Sequence, residues 1–207
     1  MEKVLMLNGS PRPDGNMALA FHEMEQVFDE CGVGYENILL GRQVVRGCVA
    51  CESCRKTGKC VFNDIVNELA AKLEAADGLV IGSPVYYGSA NGTLMSALQR
   101  LFYSSHFDKS LKVGASVVSA RRSGCTATFD ELNKFFTLSN MPVATSRYWN
   151  NIYGWEPGEG SVDEEGRQVM RVLARNMVFL MRSIRLGKTE VGLPKAEEPR
   201  VWTNFTR

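Results

Sequence analysis

The sequence lacks several features that would place it in a familiar class of protein. It contains no apolar run close to the roughly 20 residues that a membrane-spanning helix requires, and no secretory leader precedes its first strand-like segment. It has only two histidines, and neither belongs to a serine, histidine and acid pattern, which argues against a hydrolase. We therefore expect a cytoplasmic protein that is not a hydrolase.

Net charge is also nearly absent. The 24 Lys and Arg residues almost balance the 23 Asp and Glu residues, which gives a formal net charge of +1. Without a broad field of one sign, the surface as a whole has little attraction for nucleic acid or anionic lipid. We expect small-molecule ligands or locally complementary partners, and no nucleic-acid partner.

Hydrophobic periodicity predicts strands and helices in alternation. Because parallel crossovers need a dozen or more residues and are right-handed, this alternation implies an α/β fold with a mostly parallel, doubly wound sheet and helices on both faces. The predicted strands are 3–8, 35–40, 78–82, 112–119 and 141–146. The predicted helices are 16–31, 64–76, 92–102, 128–139 and 161–187, the last opened by Ser161 with Glu164 three residues later.

The length of 207 residues suits a single core. We predict one domain over residues 1–187, with a cysteine-rich loop at 47–61, and a C-terminal extension over 188–207 that lacks periodicity.

A loop rich in glycine and polar residues, 8–16, follows the first strand and opens a helix. Backbone N–H groups at a helix start are unsatisfied and carry positive partial charge, so this loop suits a phosphate, with Ser10, Arg12 and Asn16 in support. Neither G-x-G-x-x-G nor the P-loop pattern is present, which favours a monophosphate. The alternative is a ligand-free turn, since turns are rich in Gly, Pro and Asn.

Two further loops are expected to meet the first at the carboxyl edge of the sheet. Residues 83–89, with the sequence SPVYYGS, can form a flat wall beside a planar ring. Residues 119–126 contain Arg121 and Arg122, either of which could stabilise a ring that becomes negative on reduction. A pair of core aromatics and solvated surface arginines are the alternatives.

Four of the six cysteines lie in one short segment with the spacing C-x2-C-x2-C-x5-C, namely Cys48, Cys51, Cys54 and Cys60. In a chain without a secretory leader, cysteines are more often ligands or thiols than disulfides. Three cysteines spaced by two residues can wrap an iron–sulfur cubane, and four thiolates also suit tetrahedral zinc. The spacing leaves open a [4Fe–4S] cluster, a zinc ion or unligated thiols.

The motifs at 9–16 (GSPRPDGN) and 82–88 (GSPVYYG) resemble those of the NADPH-dependent FMN reductase-like flavoproteins, over roughly residues 3–185. The cysteine segment resembles that of the iron–sulfur flavoproteins within this group. The resemblance implies a flavodoxin-like sheet of five parallel strands in the order 2-1-3-4-5, FMN as cofactor, NAD(P)H as co-substrate, and a homodimer or homotetramer. One position departs from the pattern, because Met17 replaces the Thr or Ser that relatives usually carry.

The residues predicted to contact FMN come from all three loops. They are Ser10, Arg12, Gly15, Asn16, Met17, Ser83, Pro84, Val85, Tyr86, Tyr87, Gly88, Ser119, Arg121 and Gly124.

Three functions are compatible with these motifs. The first is an FMN-dependent NAD(P)H oxidoreductase that reduces a small acceptor such as a flavin or quinone, with Tyr148, Trp149 and Trp155 as candidates to shape the acceptor pocket. The second is an electron carrier in which FMN and an iron–sulfur cluster serve a protein partner. The third is a redox or metal sensor that works through the cysteine loop.

Overall fold

The computed structural model describes residues 2–194, 199, 201 and 203, and these residues form five β-strands and six α-helices. The strands are β1 (Lys3–Asn8), β2 (Gly34–Leu39), β3 (Gly78–Pro84), β4 (Val113–Ala120) and β5 (Asn151–Tyr153). The helices are α1 (Asn16–Cys31), α2 (Ser53–Thr57), α3 (Ile65–Glu74), α4 (Gly92–Ser104), α5 (Cys125–Leu138) and α6 (Glu164–Glu190), and a 3-10 turn at Glu159–Val162 precedes α6. Within this described part of the chain, no helix has the length and apolar character needed to cross a bilayer.

The strands form one parallel sheet in the order β2-β1-β3-β4-β5, which confirms the predicted flavodoxin-like topology. Side chains alternate between its two faces because the side-chain period of a strand is two. Val4 and Met6 of β1 pack with α1 and α6, whereas Leu5 and Leu7 pack with α3, α4 and α5. Each face of the sheet therefore has its own apolar core.

The prediction of the last strand was wrong. In the described structure, residues 141–146 make an isolated bridge to β4, between Gly114 and Val143, and then leave the sheet. The strand beside β4 is instead β5, whose Asn151 pairs with Val118. Met141 and Ala144 are buried like strand residues, but burial does not require a hydrogen-bonded ladder. The apolar pattern identified a packed segment and not the strand.

The limits of the long C-terminal helix also differ from the prediction. Asp163, and not Ser161, caps α6, because its Oδ1 accepts a hydrogen bond from the Gly166 N–H at 2.9 Å. The helix continues to Glu190, past the predicted boundary at 187. Much of the predicted extension 188–207 lies outside the described residues, so the division of the chain at 187 stays a prediction.

Helices α2 and α5 also differ from the prediction. The short α2 lies inside the cysteine segment, where no helix was predicted, and α5 begins at Cys125, three residues earlier than predicted. Gly58 and Gly124, which flank these helices, have positive φ. A single glycine with positive φ at the end of a helix does not change the hydrophobic periodicity, so the pattern does not indicate where these helices end or begin.

Candidate functional site

The loop between β1 and α1 is fixed by close backbone contacts at two glycines. The N–H of Gly9 donates to the carbonyl oxygen of Gly82 at 2.8 Å, and a Cβ at Gly9 would lie 2.7 Å from Leu94. A Cβ at Gly41, after β2, would lie 2.2 Å from the carbonyl carbon of Ser10. Neither glycine can carry a side chain unless this loop moves.

The loop leaves the start of α1 available to an anion. The Ser10 hydroxyl accepts a hydrogen bond from the Arg12 N–H at 3.1 Å and so shapes the turn. Gly15 is the N-cap, no side chain caps the helix, and its first turn contains no acidic residue. The first N–H groups of a helix have no partner within the helix and carry positive partial charge. This helix start can therefore hold a phosphate.

Asn16 and Met17 lie at this helix start, but their side chains contact protein. The Asn16 Nδ2 donates to the Glu156 carbonyl at 3.1 Å, and its Oδ1 accepts from the Gly160 N–H at 2.9 Å. Met17 is buried, and a Cβ at Gly82 would lie 2.6 Å from its sulfur. Asn16 thus ties the β1–α1 loop to the segment between β5 and α6.

The loop after β3 forms a tight turn. Tyr86 and Ser89 exchange backbone hydrogen bonds of 2.9 and 3.1 Å, and both central residues, Tyr87 and Gly88, have positive φ. The Tyr87 side chain is fully exposed at the tip. Ser83 is buried, and its Oγ accepts a hydrogen bond from the Asn91 N–H at 2.8 Å, which anchors the base of the loop.

The loop after β4 approaches the loop after β3. Gly124 has a φ of 90°, and a Cβ there would lie 2.8 Å from Cγ1 of Val85. The Val85 N–H donates to the Ser119 carbonyl at 2.8 Å. Arg121 places its guanidinium carbon 5.0 Å from the centre of the Trp155 ring, a cation–π contact. The two loops therefore hold one another at the carboxyl edge of the sheet.

Together these loops line one cavity of about 320 Å³, which is within the size range of ligand sites. The predicted residues on its wall are Ser10, Arg12, Gly15, Asn16, Met17, Pro84, Val85, Tyr86, Ser119 and Arg121. Four other predicted residues are not on the wall and shape the loops instead, namely Ser83, Tyr87, Gly88 and Gly124.

A fourth segment, which follows β5, also lines this cavity. Gly154 and Trp155 lie on its wall, and the Arg12 Nη1 donates to the Trp155 carbonyl at 3.2 Å. Tyr148 and Trp149, grouped with Trp155 in the sequence-based hypothesis, line a separate hollow of about 340 Å³. The misplaced last strand hid the position of Gly154 and Trp155 directly after a strand of the sheet.

The four clustered cysteines line a second, narrow cavity of about 20 Å³, about the space of one water molecule. Cys54 is buried, Cys60 is half-buried, and Cys48 and Cys51 are exposed; none of them forms a disulfide. No three His, Cys, Asp or Glu side chains of the described residues are arranged to hold a single metal ion.

The donor set still suits an iron–sulfur cluster, in which each thiolate binds its own iron and the sulfurs lie further apart than around one ion. Cys48 and Cys51 lie on the exposed side of this cavity, and Cys54 and Cys60 lie deeper. Hydrogen bonds from the backbone N–H and the hydroxyl of Ser53 lower the pKa of the Cys51 thiol. Sequence reasoning missed another contact, in which the guanidinium of Arg100 donates to the Cys60 sulfur.

This parallel sheet, with a cavity at its carboxyl edge and a helix start suited to phosphate, defines a flavodoxin-fold protein. The family described as NADPH-dependent FMN reductase matches residues 2–156. An iron–sulfur flavoprotein of Methanocaldococcus jannaschii is 31% identical over 191 residues, covering 88% of this chain and 99% of the relative. An iron–sulfur flavoprotein of Methanosarcina thermophila is 27% identical, covering 90% and 98%. The chain belongs to the NADPH-dependent FMN reductase family and, within it, to the iron–sulfur flavoproteins.

Solved structures show the same fold at low sequence identity. RosB, with a bound riboflavin phosphate intermediate, has a TM-score of 0.73 at 15% identity and covers 100% of this chain and 94% of its own. An NAD(P)H:quinone oxidoreductase from Methanothermobacter marburgensis has a TM-score of 0.62 at 16% identity and covers 84% and 94%. The family identifies a flavin-dependent oxidoreductase, and the solved structures show its flavodoxin-like fold.

Proposed function

We propose that FMN occupies the 320 Å³ cavity and that the protein passes electrons from NAD(P)H to a small acceptor such as a flavin or a quinone. The observation that carries this proposal is the cavity itself, formed after β1, β3 and β4 beside an uncapped helix start. Ligands of doubly wound sheets bind at this edge. The name of the structurally similar NAD(P)H:quinone oxidoreductase supports the class of donor and acceptor.

The residues on the wall would divide the binding of FMN between them. The loop from Ser10 to Arg12 and the first N–H groups of α1 would hold the phosphate. Pro84, Val85 and Tyr86 would lie against the ring. When bound, FMN supplies hydride acceptance from a nicotinamide and electron donation to the acceptor.

Arg12 and Arg121 both line the cavity, and Arg121, in the loop after β4, is the one that would stabilise negative charge on a reduced ring. Its guanidinium stacks on Trp155, which restrains its position, whereas the neighbouring Arg122 does not line the cavity. A cation near the ring favours the reduced, more negative state by Coulomb attraction. Arg121 and Arg122 therefore form a matched pair for an experiment.

The test begins with the visible spectrum of anaerobically purified protein before and after addition of NADPH or NADH. We expect a flavin spectrum that bleaches with a reduced nicotinamide and returns when a quinone is added. Arg121→Met should lower the midpoint potential of the flavin, and Arg122→Met should leave it unchanged. A chain that retains no FMN after reconstitution, or equal potentials in the two variants, would contradict these assignments.

A second function, electron transfer to a protein partner, is favoured by the convergence of four cysteines on one cavity. In this proposal Cys48, Cys51, Cys54 and Cys60 bind a [4Fe–4S] cluster. Iron and acid-labile sulfide should both be present in anaerobic protein, at about four of each per chain, and Cys54→Ser should remove them while FMN is retained. Protein that incorporates neither iron nor sulfide under these conditions would exclude the cluster.

We also propose that the chain acts as a homodimer or homotetramer, as the family resemblance implies. Size-exclusion chromatography with light scattering tests this, and a monomer at micromolar concentration would contradict it.

A further inference from the structure

Arg100 lies on the buried face of α4 and is almost completely enclosed, with 1% of its surface exposed. Arginine is rarely buried in full unless its charge is paired and its donors are satisfied. Its helix neighbours on this face, Ala97, Leu98 and Leu101, are apolar core residues. The surroundings of Arg100 must therefore offset the free energy lost when its charge is removed from water.

Every N–H donor of the Arg100 side chain has an acceptor. A guanidinium has five N–H donors in a fixed planar arrangement. Nη1 donates to Oδ2 of Asp64 at 2.6 Å and to the Arg46 carbonyl at 3.2 Å, and Nη2 donates to Oδ1 of Asp64 at 2.9 Å. Nε and Nη2 donate to the sulfur of Cys60 at 3.2 and 3.1 Å. One edge of the guanidinium thus holds a carboxylate and the other holds a cysteine sulfur.

The carboxylate and the sulfur are themselves held in place. Asp64 caps α3 by accepting a hydrogen bond from the Val66 N–H at 3.2 Å. The Cys60 backbone N–H donates to Oδ1 of Asn67 at 3.0 Å, and Nδ2 of Asn67 donates back to the Cys60 carbonyl at 3.0 Å. These contacts connect Cys60 to α3 and α4, while Cys48 and Cys51 remain on exposed loop.

An ion pair with Asp64 alone would explain why a buried arginine is stable, but it would use only one edge of the guanidinium. The second edge faces the Cys60 sulfur, and Arg100 lines the same cavity as all four cysteines. Hydrogen bonds to cluster sulfurs are among the factors that set the reduction potential of an iron–sulfur cluster. They withdraw negative charge from the sulfur and so favour the reduced cluster.

We propose that Arg100 is a positioning residue for the iron–sulfur cluster: it fixes the Cys60 sulfur toward the shared cavity and makes the bound cluster easier to reduce. This inference rests on the proposed binding of a cluster by the four cysteines. It assigns a role in electron transfer to α4, a helix that contains no cysteine.

The test compares two charge-conserving variants in anaerobically reconstituted, FMN-containing protein. Arg100→Lys keeps the positive charge but loses the planar guanidinium that donates to both Asp64 and Cys60. The double variant Arg100→Leu with Asp64→Asn removes both charges, and Asn can still cap α3. Because neither variant changes the net charge beside the cavity, a change in potential reports the lost hydrogen bonds to sulfur. The flavin in the same sample serves as the internal reference during titration with dithionite.

We expect the ratio of reduced to oxidised cluster at a fixed potential to fall at least about tenfold in both variants, equivalent to 59 mV for a one-electron couple, while the flavin potential stays constant. Loss of iron with FMN retained would also support the positioning role. If Arg100→Lys does not fold, the double variant decides.

Two results would overturn the inference, and only one of them would also refute the proposed cluster. Unchanged cluster potentials in variants that contain full iron would refute the role of Arg100 alone. A wild-type chain that incorporates no iron and sulfide would refute the proposed cluster, and the role of Arg100 with it.

Discussion

Gly41 restrains the β1–α1 loop from a distant part of the chain. A Cβ at this position would lie 2.2 Å from the Ser10 carbonyl carbon and 2.5 Å from the Pro11 nitrogen, so it would overlap backbone atoms and not a flexible side chain. Backbone atoms move only when the whole loop moves. The geometry of the candidate phosphate site therefore requires a residue without a Cβ at position 41, after β2.

Gly41→Ala should weaken FMN binding by about fivefold or more, because overpacking costs about 1–3 kcal/mol and 1.4 kcal/mol corresponds to a factor of ten. Gly47→Ala is the matched control, since no described atom lies within 4 Å of a Cβ there. Titration of flavin-free protein with FMN, followed by quenching of flavin fluorescence, gives both dissociation constants. Equal constants for the two variants would show that the loop adapts.

Sequence reasoning identified the loops of the candidate site better than the contacts that fix them. The glycine-rich and aromatic motifs mark the loops directly, and most of their predicted residues lie on the cavity wall. Gly41 and Arg100 carry no comparable signal, because a glycine beside a strand and an arginine in an amphipathic helix are both common. Their importance arises from contacts with residues far away in the chain, such as Ser10 for Gly41 and Cys60 for Arg100.

Helices α1 and α6 lie on the same face of the sheet, and a buried carboxylate connects them. Glu23 of α1 is 2% exposed and accepts hydrogen bonds from Nε of Arg167 at 2.6 Å and from Nη1 of Arg171. Burial favours the neutral form of this carboxyl, but the hydrogen bonds and charges of the two arginines prevail, and its pKa is lowered from 4.5. The ionised carboxylate therefore stabilises the folded state.

Glu23→Gln should lower the free energy of unfolding by about 1–3 kcal/mol near neutral pH, because it removes a charged hydrogen-bond acceptor from two arginines. A lowered folded-state pKa gives stability that is present above the unfolded pKa and is lost as pH falls through the folded pKa. The difference between wild type and variant should therefore shrink below about pH 4.5. Urea unfolding across this pH range measures it.

Glu30→Gln provides the control for this experiment, since Glu30 pairs with Arg175 between the same two helices at 3.5 Å but both side chains are exposed. Exposed ion pairs contribute about 0–1 kcal/mol. An effect of Glu30→Gln as large as that of Glu23→Gln would refute the importance of burial.

The start of α6 provides a second prediction at this scale. Oδ1 of Asp163 caps the helix at Gly166, and Oδ2 accepts a hydrogen bond from the Tyr153 N–H at 2.8 Å, so one carboxylate joins α6 to β5. Asp163→Ala should cost about 1–2 kcal/mol of stability, whereas Ser161→Ala should cost little because Ser161 is exposed and does not cap the helix. Thermal unfolding by circular dichroism distinguishes the two, and the reverse order would restore Ser161 as the cap.

Elements of the fold were predictable to the extent that burial followed a regular period. The first four strands and the long helices have such patterns, and their order predicts the sheet topology. β5 has only three residues, too few to show a period. Earlier in the chain, the buried residues Met141 and Ala144 give the apolar pattern of a strand without forming one. Whether a segment pairs with β4 depends on the path of the whole chain and not on its own composition.

For the whole molecule, binding of FMN should raise thermal stability by mass action. At a free concentration one hundred times the dissociation constant, a ligand that binds only the folded state stabilises it by about 2.7 kcal/mol, which is a rise of about 5–10 °C in Tm for a domain of this size. Riboflavin at the same concentration lacks the phosphate and should give a clearly smaller rise. Equal shifts for both flavins would mean that the start of α1 does not bind phosphate.

The position of β1 inside the sheet, between β2 and β3, has a consequence for synthesis of the chain. Val4 pairs with Tyr35 on one side, but its partner on the other side, Gly78, is made 74 residues after it. At about 5–20 residues per second, an apolar strand emerging from the ribosome waits roughly 4–15 s for that neighbour. During this interval β1, which precedes the first loop of the candidate site, has one unpaired edge, and an unpaired strand edge can pair with another chain and cause aggregation.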